Sequence, residues 1–302
     1  MKLVVTGQAG QLAQSLAERG LRAGVEIVRL ARPEIDLLDP DLVARAVEDA
    51  RGHVVINAAA YTAVDKAESE PELALRINGA GARAVAAAAA KIGLPVVQIS
   101  TDYVFDGALG RPYREEDPTA PVSAYGRSKL AGEQGVAEAN SRHVIARTAW
   151  VYSPFGQNFL KTMLRLGLTR SEISVVADQW GAPTSALDLA DGLIAMARRI
   201  AAEPENESLY GVFHMTGSDY TTWAGFAAAI FEQAAALGRP PIKVIPISTA
   251  QYPTPAARPA NSRLDVGKLA RVYGVVLPEW RGAAQNCVAR LLDQPTMESR
   301  KA

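Results

Sequence analysis

The chain has 302 residues, enough for one large domain or two moderate ones at roughly 150 residues each, and enough to bury a sizeable core. Lysine plus arginine and aspartate plus glutamate both number 32, so the formal net charge is zero and a nucleic-acid partner is not expected. With 48% hydrophobic and 21% charged residues the composition is that of a globular protein. No run approaches the roughly 18 uncharged apolar residues of a membrane span, so no membrane partner is expected either. The opening MKLVVTGQAG lacks the apolar core and cleavage site of an export signal. Cys287 is the only cysteine, which rules out an intramolecular disulfide and suits a reducing compartment, so a cytoplasmic protein is expected.

Short β-branched runs alternate with Ala/Leu-rich segments through the first half, the signature of βα units on a parallel sheet. The pattern predicts strands over 3–6, 26–30, 54–57, 95–100 and 143–147, with helices over 11–19, 41–49, 72–92 and 123–139. AVAAAAAKIG at 84–93 reads as helix packed on a sheet, since alanine is the best helix former and its small side chain permits close approach. This order describes an α/β fold with a doubly wound parallel sheet of the Rossmann type over 1–150, to which 181–217 is expected to return. Past 150 the pattern loosens, although 173–200 still gives a strand, a turn and a helix. Proline density in RPPIKVIPISTAQYPTPAARP implies extended or loop structure, because proline fixes φ and lacks an N–H. Residues 151–180 and 218–302 are therefore expected to form a smaller, irregular α/β substrate-binding domain over the carboxyl edge of the sheet, where open α/β folds bind ligands. Residues 294–302 read as a frayed tail.

Directly after the first strand comes Gly7-Gln8-Ala9-Gly10-Gln11-Leu12-Ala13, a GxxGxxA loop opening a helix. Glycines there let backbone approach a pyrophosphate, and the helix N-terminus adds N–H groups and partial positive charge. The second strand ends in Arg29 and Arg32, with no acid before Glu34. Arginine at this place accommodates a 2′-phosphate, so NADPH is expected, with NADH also possible. Asp36 and Leu37 are candidates for the adenine side. Ala59, Ala60 and Tyr61 close the third strand with mostly small side chains that let a cofactor lie against backbone.

Tyr125-Gly126-Arg127-Ser128-Lys129 is a YxxxK at a helix start, which puts phenol and ammonium on one face. A free tyrosine titrates near about 10, so a nearby positive charge is expected to favour its phenolate. Lys129 and the nicotinamide are the expected sources of that charge. Ser100 and Thr101 at the end of the fourth strand add a hydroxyl that can hold a carbonyl against the phenol. Loop, hydroxyl and YxxxK together describe a short-chain dehydrogenase/reductase.

VINAAAYTAVDKAE at 55–68, STDYVFDG at 100–107, YGRSKLAGE at 125–133, TAWVY at 148–152, DQWGAPTSALDLA at 178–190 and RPANSRLD at 258–265 resemble the dTDP-4-dehydrorhamnose reductases, over residues 3 to about 282. The resemblance implies reduction of a dTDP-sugar, dTDP-4-dehydro-L-rhamnose, at its 4-keto group. It makes Tyr125 the proton donor, Lys129 its electropositive neighbour and ribose partner, and Thr101 the catalytic hydroxyl that also touches the sugar. Ser100 is the less favoured neighbour. Gly10, Gln11 and Leu12 match the pyrophosphate loop, and Asp102 and Trp150 match substrate contacts. Arg258 and Arg263 suit a diphosphate, and Asn158 is a further substrate candidate. The magnesium reported at a dimer contact in this family finds no acidic triplet here, so no metal is expected; a homodimer stays open. An NAD-retaining epimerase or dehydratase and a silent regulatory subunit are the alternatives. His53, His143 and His214 read as structural, and Glu115-Glu116-Asp117 as a solvated turn.

Overall fold

A computed structural model describes residues 1–293, so the expected frayed tail lies outside the described residues. The elements in chain order are β1 (Lys2–Thr6), α1 (Gln11–Ala23), β2 (Glu26–Leu30), α2 (Pro40–Ala50), β3 (Val54–Asn57), α3 (Val64–Ala67), α4 (Pro71–Leu75), α5 (Ala82–Lys91), β4 (Val96–Thr101), α6 (Ala124–Ala139) and β5 (His143–Thr148). There follow β6 (Val151–Tyr152), α7 (Phe159–Leu166), β7 (Glu172–Val176), β8 (Trp180–Gly181), β9 (Thr184–Ser185), α8 (Ala186–Ala202), β10 (Gly211–His214), β11 (Thr221–Thr222), α9 (Trp223–Ala236), β12 (Lys243–Ile247), α10 (Gly267–Tyr273) and α11 (Trp280–Asp293).

Six parallel strands form the main sheet in the order β10-β5-β4-β3-β1-β2. The order reverses between β1 and β3, and the crevice beyond the carboxyl ends of those strands is where such sheets take ligands. Side chains alternate across each strand. Leu3 and Val5 of β1 therefore join one core with Leu12 and Leu16 of α1 and Leu189 and Leu193 of α8. Val4 joins the opposite core with Val43, Val47, Val85, Val136 and Ile145. Buried Thr6, Asn57 and Gln98 tie β1, β3 and β4 together near the ligand-binding end. Thr6 Oγ1 donates to Asn57 Oδ1 at 2.5 Å, and Asn57 Nδ2 to Gln98 Oε1 at 2.6 Å.

Two elements differ from the sequence expectation. The helix expected over 72–92 is split: α4 and α5 flank a π-helical turn, Arg76–Gly81. The reason is close approach by α6, since a Cβ at Gly132 would stand 2.1 Å from the Asn78 carbonyl oxygen. The segment beyond 218 is also more regular than its prolines suggest. Phe226 and Ile230 of α9 and Trp280 and Val288 of α11 enclose a separate apolar cluster with Leu160 of α7 and Ile173 of β7. β12 pairs in parallel with β7 in a sheet of two strands. Pro246 sits there without strain on the sheet because both strands are edges.

Candidate active site

Gly7 ends β1 with φ +97°, a conformation that L side chains rarely adopt, and its N–H donates to the Leu30 carbonyl at 2.7 Å. Gly10 caps α1 without a side-chain hydrogen bond, and a Cβ there would meet nothing within 4 Å. The first N–H groups of α1 are thus open to an anion such as a pyrophosphate. The Leu12 side chain belongs to the core, which leaves only its backbone for a ligand. Gln11 turns its side chain away from the loop: Oε1 accepts from Ser153 Oγ and Asn158 Nδ2, both at 2.9 Å.

Gly7, Arg32, Asp36, Leu37, Ala59 and Ala60 line one cleft of about 240 Å³, with Leu30, Ala31, Ile35 and Ile77. Six residues singled out in sequence therefore meet at one place. Arg29 donates to the Gln8 carbonyl at 3.2 Å, beside the glycine loop. Arg32 pairs with Asp36 at 3.0 Å, and Asp36 also accepts from Leu38 N. These bonds, the backbone one foremost, hold the Asp36 carboxyl below its usual range. Tyr61 directs its hydroxyl to Glu70 at 2.8 Å, away from the cleft.

α6 begins at the cap Ser123, whose hydroxyl accepts from Gly126 N at 3.1 Å, so Tyr125 lies in the first turn and Lys129 one turn on. Tyr125 meets Tyr103 edge to face, with ring centroids 5.6 Å apart. Thr101 Oγ1 donates to Asp102 Oδ1 at 3.0 Å and accepts from Tyr103 N at 3.2 Å. The Lys129 ammonium is buried and donates to the Ile99 carbonyl at 2.7 Å. Burial lowers it to about 8, against the opposing pull of Glu133.

Several expectations need correction. The Tyr125 phenol is not brought down: burial, then Asp102, hold it well above the ordinary tyrosine value, and the Thr101 hydroxyl only partly opposes them. The ammonium expected to lower it is turned to the Ile99 carbonyl. Ser100 does not face the cleft, because its buried hydroxyl donates to Glu133 at 2.5 Å. Asp102 is buried beneath Thr101, and burial raises it to about 6. Asn158 is no free substrate donor. Its Oδ1 caps α7 through Lys161 N, and its Nδ2 is held by Gln11, Ser153 and Phe155.

Arg258 and Arg263 are not free cations. Arg258 makes a bidentate pair with Asp65 at 3.0 and 2.8 Å, and Arg263 donates to Asn261 Oδ1 and the Gly110 carbonyl at 2.8 and 2.9 Å. The turn at 115–117 is engaged rather than solvated: Glu115 accepts from His214 N and Asp117 is clamped by Arg111. Trp150 has φ +48° and stacks on Trp223 with centroids 3.6 Å apart, a rigid apolar wall.

Sequence reasoning missed Asn78. Its Oδ1 accepts from Tyr61 N at 2.8 Å and its Nδ2 donates to the Tyr61 carbonyl and Ser128 Oγ at 3.0 and 2.9 Å. One buried amide thus joins the backbone beyond β3 to the YxxxK helix. A lone asparagine amid alanines was its only signal.

The family model described as the RmlD substrate binding domain matches residues 1–293. The chain is 50% identical over 292 residues to a dTDP-4-dehydrorhamnose reductase of Sinorhizobium fredii, covering 97% of this chain and 98% of that protein. It is 48% identical over 299 residues to a dTDP-4-dehydrorhamnose reductase of Burkholderia thailandensis, covering 97% of this chain and all of that one, 100%. The solved dTDP-4-dehydrorhamnose reductase of Bacillus anthracis, in complex with NADP, superposes with a TM-score of 0.88 at 37% identity, over 96% of this chain and 99% of that one. A family model spanning the described chain and relatives at half identity over nearly full length place this protein in the dTDP-4-dehydrorhamnose reductase family.

Proposed function

We propose that the protein reduces the 4-keto group of dTDP-4-dehydro-L-rhamnose to give dTDP-L-rhamnose, with Tyr125 as proton donor. The names of its relatives and the NADP held by the Bacillus anthracis structure support the reaction and the cofactor. The observation that carries the residue assignment is the placing of Tyr125 and Lys129 one turn apart on α6, with the Thr101 hydroxyl in hydrogen-bond reach of the phenol.

Gly7, Gly10 and the first N–H groups of α1 would hold the pyrophosphate of NADPH, and Ala59, Ala60 and Leu37 the adenosine side. Arg29 and Arg32 would meet the 2′-phosphate, and NADH is the weaker alternative. The cofactor, when bound there, would supply hydride chemistry for C4 of the sugar. Tyr125, kept protonated by burial and by Asp102, gives its proton to the oxygen on which negative charge grows. Thr101 fixes that oxygen against the phenol, and Lys129 holds the nicotinamide ribose. Trp150, braced by Trp223, would pack on the deoxysugar and exclude water. Arg258 would take the diphosphate in exchange for Asp65; Arg263 and Asn158 drop out as direct contacts because their polar atoms are already bonded.

The proposal includes a cofactor unit of 1–150 with 181–217 and a substrate unit of 151–180 with 218–302. Pairing of β10 with β5, packing of Leu189 and Leu193 of α8 with Leu12 and Leu16 of α1, and the separate cluster around Phe226 support that division, except that the segment around α10 sides with the cofactor unit, since Leu269, Tyr273, Val275 and Leu277 pack in the core of Leu12 and Leu193. Among the described residues no helix is long and apolar enough to cross a membrane. A cytoplasmic location and a homodimeric state belong to the same proposal; the buried thiol of Cys287 supports the first and sedimentation velocity tests the second.

The test is NADPH oxidation, followed by absorbance, with dTDP-4-dehydro-L-rhamnose made in place and dTDP-L-rhamnose identified as product. Tyr125→Phe is expected to lower kcat about 10²–10⁴-fold while NADPH affinity stays within about threefold. Turnover by the variant within a few-fold of wild type would remove Tyr125 from this role.

A further inference from the structure

Beneath the YxxxK pair lies a second charged cluster that the proposed mechanism does not use. Glu133 stands one turn beyond Lys129 on α6 and is 5% exposed; Arg147 of β5 and Lys129 are each 4% exposed. Arg147 clamps the Glu133 carboxylate from below, with Nε to Oε1 at 2.9 Å and a terminal nitrogen to Oε2 at 2.7 Å. Ser100 Oγ adds a third donor at 2.5 Å. The strand register explains the convergence: Ser100 pairs with Arg147 across β4 and β5, and Ile99, whose carbonyl takes the Lys129 ammonium, is the neighbour of Ser100.

Two buried cations therefore flank one buried carboxylate, and the carboxylate is held rigid by three donors. An ion pair serving stability alone would need only Arg147 and Glu133, and such a pair does little better than apolar packing of the same volume. Among the described residues Lys129 forms no salt bridge. Glu133 is the charge acting to keep that ammonium protonated against its burial. The other titratable groups around this face are Tyr125 on α6, Asp102 and Tyr103 beyond β4, Glu68, which accepts from Ala124 N, and the Tyr61–Glu70 pair. His214 of β10 lies beside Arg147 and is kept neutral by burial, so it adds no charge.

We propose that Glu133 is a positioning residue for the reaction: its carboxylate, clamped by Ser100 and Arg147, fixes the charge and aim of the Lys129 ammonium toward the nicotinamide ribose. This rests on the reading of Lys129 as the ribose partner. Arg147 then has the opposite influence, because its guanidinium draws the same carboxylate charge away from Lys129.

The test is the pH dependence of NADPH affinity, read by quenching of tryptophan fluorescence, for wild type, Glu133→Gln and Arg147→Met. It needs no turnover, so a failure of the reductase assignment in the wild-type assay is separable from a failure of this one. Glu133→Gln is expected to move the alkaline loss of affinity down by about one pH unit. Arg147→Met is expected to move it up, and a general loosening of the fold cannot produce opposite shifts. Should Glu133→Gln fail to fold, Arg147→Met decides alone: an upward shift supports the assignment, and an unmoved or lowered profile overturns it. A folded Glu133→Gln protein with the wild-type profile overturns it as well, whatever its melting temperature.

Discussion

On one side, Thr101, Tyr125 and Lys129 come from the end of β4 and the first turns of α6: Lys129 is fixed by a buried hydrogen bond to Ile99 of β4, Thr101 by one to Asp102, and Tyr125 by its place in the capped first turn of α6. On the facing side, Trp150 and Arg258 come from short connections, and their partners lie far off in sequence: Trp223 for the first, Asp65 for the second. The sheet side thus keeps its geometry through local regularity plus a few long-range polar links, whereas Trp150 and Arg258 depend on pairings that, in the proposed reaction, substrate would share or displace. In the proposed reaction that difference puts rigidity where the proton would move and exchangeable contacts where the large substrate would enter.

The sheet side breaks at its tightest contact. Gly132→Ala would put a Cβ 2.1 Å from the Asn78 carbonyl oxygen and force α6 away from the π-helical turn. A loss of about 1–3 kcal/mol is expected, the range for overpacking a filled interior, measured by urea unfolding. NADPH affinity should fall with it, since Asn78 also holds the backbone of Tyr61. Unchanged stability would mean that α6 has slack, and Tyr125 would lose its claim to a fixed position.

Acid should find the same side through His214. Burial, reinforced by Arg147, lowers the ring from 6.5 to about 3, so the folded protein holds it neutral. The unfolded chain takes up the proton first as pH falls. The contribution of His214 is therefore complete above 6.5 and lost progressively between there and about 3, at about 1.4 kcal/mol per pH unit. His214→Leu should flatten that slope. Parallel urea-midpoint curves for wild type and variant between about pH 7 and pH 4 would refute the buried neutral ring.

What the sequence disclosed follows the same division. The parallel strands and the loop, hydroxyl and YxxxK positions were legible because each is a local pattern: a β-branched run, a glycine spacing, an i to i+4 step. Asn78, Glu133 and Arg147 were not, although YGRSKLAGE contains Glu133, because their meaning lies in pairings across 50, 14 and 33 residues of chain. The direction of the Tyr125 shift was missed for a related reason. Spacing places Lys129 on the same face but cannot reveal that its ammonium turns to Ile99, or that Asp102 is buried nearby. On the facing side, Arg258 and Arg263 looked alike in RPANSRLD, yet one pairs with a carboxylate and the other with a carbonyl and an amide.

That last difference can be sharpened by substitution. Arg258→Met is expected to raise KM for the sugar nucleotide about tenfold, the order of one lost charge-assisted contact, with kcat and NADPH affinity nearly unchanged. Arg263→Met should leave KM within about twofold, because its guanidinium staples Gly110 and Asn261. Equal effects from the two would erase the distinction between an exchangeable ion pair and a structural staple.

The smallest effect is expected where the cleft is most open. Arg29 and Arg32 are exposed, one on the Gln8 carbonyl and the other on Asp36, and exposed charges of this kind contribute about 0.2–1 kcal/mol. Replacing both by alanine should therefore lower the ratio of kcat/KM for NADPH to that for NADH about fivefold, with the NADH value nearly constant. Asp36 would then be released from Arg32 and free to accept from a ribose hydroxyl, so a rise in the NADH value is the direction in which the constant can move. A ratio that stays put would mean that the 2′-phosphate is read by backbone N–H groups alone, and that the two arginines serve only to brace the loop between β1 and α1.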